Sequence, residues 1–171
     1  MSNTESNKYT ILFAIGMVVI VGSLLAFTAS SLKPNIKENE RMEKQQNILY
    51  AMGVNENGAT DIVFISTDKV AEEFSRYVTT QLVVDASGNA VENNEAYLID
   101  VKKEQAKAKN GGIRELPLFV GEKDGKSYYI IPIRGKGLWD AIWGYLSVDE
   151  NMVIKGVYFD HRGETPGLGA N

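Results

Sequence analysis

Residues 116–160 read LPLFVGEKDGKSYYIIPIRGKGLWDAIWGYLSVDENMVIKGVYFD. Apolar and β-branched runs at 116–122, 128–134, 141–148 and 152–160 are separated by short polar breaks. This is the pattern of strands joined by hairpins. Asp124-Gly125 sits in the first break, and an Asp-Gly pair supplies the positive backbone angles a two-residue hairpin turn needs. Asp149-Glu150-Asn151 makes the last break. Upstream, 81–85 and 97–101 read as two more strands around a polar turn at 86–95. Between the two strand groups lies KKEQAKAKNGGIRE (102–115), basic and Gly-broken, which reads as a solvated loop or short helix.

Further outward the period changes. In 36–52, Ile36, Met42, Ile48, Leu49 and Met52 recur at helical spacing, and Gly53 is a natural stop. A second helix is expected from Ser66 or Thr67, either able to cap it, with Val70, Phe74, Tyr77 and Val78 on one face. Helices followed by hairpins imply an α+β domain, with helices packed on an antiparallel sheet.

In front of this domain, residues 9–32 carry no charge. At ~1.5 Å rise per residue they extend about 36 Å, enough to cross a hydrocarbon core of about 30 Å. Lys33-Pro34 is expected to close that helix, because proline removes a hydrogen bond. The apolar run is longer than a signal-peptide core, which favours an uncleaved anchor. The resulting division is 1–8 polar N-terminus, 9–32 transmembrane helix, 33–53 amphipathic linker helix and 54–171 soluble domain. Lys33, Lys37, Arg41 and Lys44 follow the span and only Lys8 precedes it. That count favours a cytoplasmic domain, although the rule weakens for long translocated domains.

Composition excludes several chemistries. The 171 residues are 44% hydrophobic and 23% charged, with net charge −4, which opposes a nucleic-acid-binding role. There is no cysteine and only one histidine, His161. Disulfides, thiolate metal sites and multi-histidine metal centres are therefore excluded, and no metal site or catalytic acid, base or nucleophile is assigned.

The C-terminal third holds PIRGKGLWDAIWGYL (132–146) and GVYFDHRGETPGLG (156–169). Alone, each piece is weak: Gly-x-Gly is usually a turn, and Trp139 and Trp143 are of the type that fills cores. Together and at this spacing they resemble the FMN-binding domain family. That family is shared by the NqrC component of the sodium-pumping NADH:quinone reductase and its counterpart in the Rnf electron-transport complex. The Gly-x-Gly-Leu-Trp element, the Trp-Gly-Tyr strand and the His-x-Gly-Glu-Thr-Pro-Gly-Leu-Gly loop fit the former more closely. One spanning helix followed by an amphipathic linker also fits.

The resemblance implies FMN as cofactor, other subunits of a membrane redox complex as partners, and a one-electron relay towards ubiquinone while the complex, fed by NADH, transports sodium. It implies a bacterial inner-membrane protein with a single pass and a periplasmic domain. Leu138 and Trp139 would form an apolar wall beside the flavin. Glu164 and Thr165 would offer an acceptor and a donor, and Gly167 would permit close backbone approach. The same glycines also suit a rigid corner without ligand, and His161 reads as a loop-organising hydrogen bonder. In the family FMN is attached covalently to a threonine of a Ser/Thr-Gly-Ala-Thr motif downstream of this loop. That acceptor is not found in residues 1–171; Asn57-Gly58-Ala59-Thr60 has asparagine at the first place. The soluble domain is therefore expected to be incomplete, its sheet left with an unpaired edge and its hold on FMN poor. The rival readings are the Rnf-type counterpart and a membrane-anchored domain without cofactor.

Overall fold

The computed structural model describes residues 7–57 and 63–163. The chain divides into two compact units, Met1–Glu40 and Arg41–Asn171. The first holds the apolar part of helix α1 (Asn7–Ala51), whose side chains there are almost all exposed. It is long and apolar enough to cross a membrane. Pro34 lies inside α1 instead of ending it, so the expected anchor and linker helices are one helix. A proline lacks one donor, and the turns on either side hold their own bonds. The helix stops at Gly53: Gly53 N–H donates to the Tyr50 carbonyl (2.9 Å) and Val54 N–H to that of Leu49 (2.9 Å). With Gly53 at φ +74°, this is the left-handed glycine termination.

The second unit is built on six antiparallel strands in the order β2-β1-β3-β4-β5-β6. These are β1 (Val78–Asp85), β2 (Ala90–Glu92), β3 (Glu115–Lys123), β4 (Lys126–Lys136), β5 (Ala141–Asp149) and β6 (Ile154–His161). The α+β expectation stands, and the 124–125 hairpin has both Asp124 (φ 53°) and Gly125 (φ 69°) left-handed.

Three local readings are corrected. Residues 97–101 are not a strand. A 3-10 turn, Ala96–Leu98, and helix α3 (Val101–Lys109) replace it, and β2 is the partner of β1. The cause is capping: the Asp100 carboxylate accepts from Lys102 and Lys103 N–H (2.9 and 3.3 Å). Helix α2 (Val70–Tyr77) begins later than expected, with Lys69 at its cap position and no side-chain cap; the turn before it, in which the N–H groups of Lys69 and Val70 donate to the Ser66 carbonyl, leads into it. Strand β6 begins at Ile154, since Asp149 Oδ1 holds the Asn151 and Val153 N–H groups (both 2.9 Å) in a turn with Met152 at φ 62°.

One face of the sheet carries the core. Ile48, Leu49 and Ala51 of α1 and Val70 of α2 are fully buried against Phe119 and Ile130. Two glycines let the end of α1 approach. A Cβ on Gly121 would strike Met52, and one on Gly156 would strike the Ala51 carbonyl oxygen. Because side chains alternate along a strand, the opposite face carries Leu82 paired with Leu118, Val84 with Leu116, and Ile131–Leu146–Val157 in one row. The members of these rows on β1, β3, β4 and β5 stay partly exposed, whereas Val157 (42%) and Phe159 (58%) on β6 are open.

Candidate functional site

The Gly-x-Gly-Leu-Trp element runs from the end of β4 into the turn before β5, Gly135 and Lys136 closing the strand and Gly137-Leu138-Trp139 entering the turn. The ladder closes at Lys136 opposite Ala141, and Gly137 N–H donates to the Asp140 carbonyl (2.7 Å). This turn leaves Leu138 (71%) and Trp139 (65%) exposed, against the burial such side chains usually find. The second tryptophan is different: Trp143 lies within β5, partly buried, with the Arg134 guanidinium 5.7 Å from its ring.

The end of β6 returns to the same place. Ile142 pairs with His161 and Trp143 with Asp160. Arg162 N–H then donates to the Ala141 carbonyl (3.1 Å). Asp140 joins the two segments: Oδ1 accepts from Ala141 N–H (2.7 Å), Oδ2 lies 3.7 Å from Arg162 Nε, and a Cβ added to Gly163 would come to 3.6 Å from the Asp140 Cβ. The head of the glycine-rich loop is therefore anchored on the Leu138-Trp139 turn. Glu164, Thr165 and Gly167 lie outside the described residues. Sequence alone does not single out Asp140 and Arg162; their positions, next to the Trp and inside the glycine-rich loop, are the available signal.

Toward the core, Tyr158 and Asp160 lie on the same face of β6. Burial, then the nearby Asp160 and Glu43 charges, push the Tyr158 phenol up to about 12, and burial raises Tyr145 likewise. Asn57 of the Gly-Ala-Thr look-alike organises its own loop, accepting from Val63 N–H (2.6 Å) and donating to Tyr50 (3.1 Å). Residues 58–60 are outside the described range. Among the described residues no cluster of three His, Asp or Glu forms a metal site.

The described surface fits FMN in kind. An exposed indole and leucine offer an apolar wall for a flat ring, and the Asp140–Arg162 pair borders it with polar groups.

A family model described as FMN-binding domain matches residues 137–171, starting at the second glycine of the Gly-x-Gly-Leu-Trp element. The NqrC component of the Na(+)-translocating NADH-quinone reductase of Vibrio parahaemolyticus is 30% identical over 98% of this chain and 69% of its own length. The crystal structure of the same component from Parabacteroides distasonis superimposes with TM-score 0.68 at 34% identity, covering 81% of this chain. That of Shewanella oneidensis NqrC superimposes with TM-score 0.57 at 25% identity, covering 75%. The chain spans 62% and 63% of these two crystallised proteins. With this likeness running from the N-terminal apolar helix to the glycine-rich loop, the chain belongs to the NqrC family of Na(+)-translocating NADH-quinone reductase components.

Proposed function

We propose that this chain is the membrane-anchored, FMN-carrying component of a sodium-translocating NADH-quinone reductase and relays electrons towards quinone. The observation that carries this reading is the meeting of two motif segments. The exposed Leu138-Trp139 turn and the head of the 163–169 loop are held together by Asp140 and Arg162, within the stretch that matches the FMN-binding domain.

Bound FMN would supply the electron transfer; the protein's part is position and electrostatics. Leu138 and Trp139 would cover one side of the ring and shield it from water. Asp140 and Arg162 would fix where the loop begins, so that Glu164 and Thr165 present an acceptor and a donor to the ring's polar atoms and Gly167 lets the backbone approach. No protein nucleophile or proton relay is required of these residues. The partners are the other subunits of the complex. Helix α1 would cross the bacterial inner membrane once, with the soluble unit in the periplasm. Covalent attachment would use a threonine of a Ser/Thr-Gly-Ala-Thr motif, which residues 1–171 do not contain.

FMN titrated into the full chain in detergent tests the site through the indole NMR signals of its two tryptophans. The Trp139 signal is expected to shift more than that of Trp143. Absence of any Trp139 response at millimolar FMN would refute the assignment. Co-production with a flavin transferase is expected to give no fluorescent covalent band, and a bright band would overturn the attachment reading. Cross-linking within membranes tests the topology, through capture or loss of neighbouring subunits by the periplasmic unit.

A further inference from the structure

Strands β3 and β4 are joined at one end and parted at the other. Their ladder runs from the Lys123–Lys126 pair at the hairpin turn to Phe119–Ile130 and ends there. Beyond that point β3 continues to Glu115 against β1, and β4 continues to Lys136 against β5. A two-residue hairpin turn closes on a hydrogen-bonded pair, and such pairs recur at every second residue. In the same register the next would be Pro117 with Pro132, and neither proline has an N–H to give. The one after that would be Glu115 with Arg134.

Helix α3 supplies what that last pair would have exchanged. The Glu104 carboxylate accepts from Glu115 N–H (2.9 Å), and Gln105 Nε2 donates to the Arg134 carbonyl (3.1 Å). Lys107 Nζ ties Glu104 to Glu115 (3.2 and 3.1 Å). None of the helix's own residues is buried, which leaves polar bonds to seat it. From Arg134 the chain runs straight to the candidate site: the guanidinium lies 5.7 Å from the Trp143 ring, and Gly137, three residues on, opens the turn. We infer that Gln105 is a positioning residue for the flavin site. Helix α3 stands in for the missing ladder and, through the Gln105–Arg134 bond, sets where the end of β4 delivers Leu138 and Trp139. For its ligand this inference rests on the proposed function.

Three variants of the full chain in detergent test it. Gln105→Met keeps the helical preference of the side chain and removes the donor. Gln105→Lys keeps a donor, and Lys109→Met alters an exposed position of the same helix. Without FMN, Gln105→Met is expected to move the backbone amide signals of Gly135 and Gly137 and the indole signal of Trp143. Gln105→Lys is expected to return them to their wild-type places, and Lys109→Met to leave them there. The FMN affinity read from the Trp139 indole is expected to fall ~10-fold in Gln105→Met, the worth of one hydrogen bond, and to recover in Gln105→Lys. Unmoved signals or unchanged affinity in Gln105→Met would overturn the inference. So would equal displacement by Lys109→Met, or a Gln105→Lys chain as displaced as Gln105→Met. A wild-type Trp139 that ignores FMN would refute the flavin reading instead, since the FMN-free signals report on Gln105 by themselves. If Gln105→Met fails to accumulate, Gln105→Asn, too short to reach the Arg134 carbonyl, is expected to give the same displacement, and wild-type signals there would overturn the inference.

Discussion

Replacing Gly156 by alanine isolates the contact between α1 and the sheet. In an ordinary strand this change stabilises, since alanine loses less backbone entropy, by about 0.5–1 kcal/mol. Here the new methyl would enter the space of the Ala51 carbonyl oxygen. A backbone oxygen cannot change rotamer, so the helix end must move, and Ile48, Leu49 and Ala51, all fully buried, move with it. Overpacking of this kind costs roughly 1–3 kcal/mol. The net expectation is a loss of about 1–2 kcal/mol, read as a fall of about 3–10 °C in the melting midpoint of the soluble unit. The assay is thermal unfolding of the full chain in detergent, followed by near-ultraviolet circular dichroism. Gly135→Ala is the matched control, because nothing lies within 4 Å of its added Cβ; it is expected to be neutral or slightly stabilising. If Gly156→Ala proved as harmless as Gly135→Ala, the packing argument for the helix end would be wrong.

Asp100→Ala removes the cap of α3 and is expected to cost about 1 kcal/mol in urea denaturation. Raising the pH tests the buried phenols. Folded values above the ordinary tyrosine value mean that stability is intact below pH 10 and is lost as pH climbs towards about 12 for Tyr158, with Tyr145 contributing in the same direction. Tyrosinate absorbance should therefore show late-titrating phenols that rise together with unfolding; titration of all eight tyrosines at ordinary values in the folded state would contradict it. Trp139→Ala is expected to change stability by no more than about 0.5 kcal/mol, because the side chain is mostly exposed, while abolishing the FMN-dependent shifts of the backbone amide signals of Leu138 and Asp140. In cell fractionation the chain is expected to stay with membranes through a carbonate wash, and release by that wash would count against a spanning α1.

The alternating strands and the Asp-Gly turn were legible because their physics is local. Period two exposes one face per strand, and left-handed turn residues are recognisable by type. Where neighbours compete, local reading failed. Residues 97–101 have strand-like composition, yet Asp100 caps a helix and Tyr97 meets Phe74 in the core. At the candidate site, Leu138 and Trp139 stand out through their motif. The roles of Asp140 and Arg162 needed the ladder that returns β6 to the β4–β5 turn, a contact between positions far apart in sequence.

Composition and order determined an apolar helix followed by an α+β domain, the absence of thiol and multi-histidine metal chemistry, and the resemblance carried by the Gly-x-Gly-Leu-Trp and glycine-loop motifs. Pattern alone reaches these because each depends on residue type and spacing along the chain. Strand order, the helix end seated on Gly121 and Gly156, the joining of Asp140 to Arg162 and the aliphatic rows on the outer face were decided by the tertiary structure. They arise from register between distant segments, and side-chain periodicity says which residues share a face without saying what lies across from it.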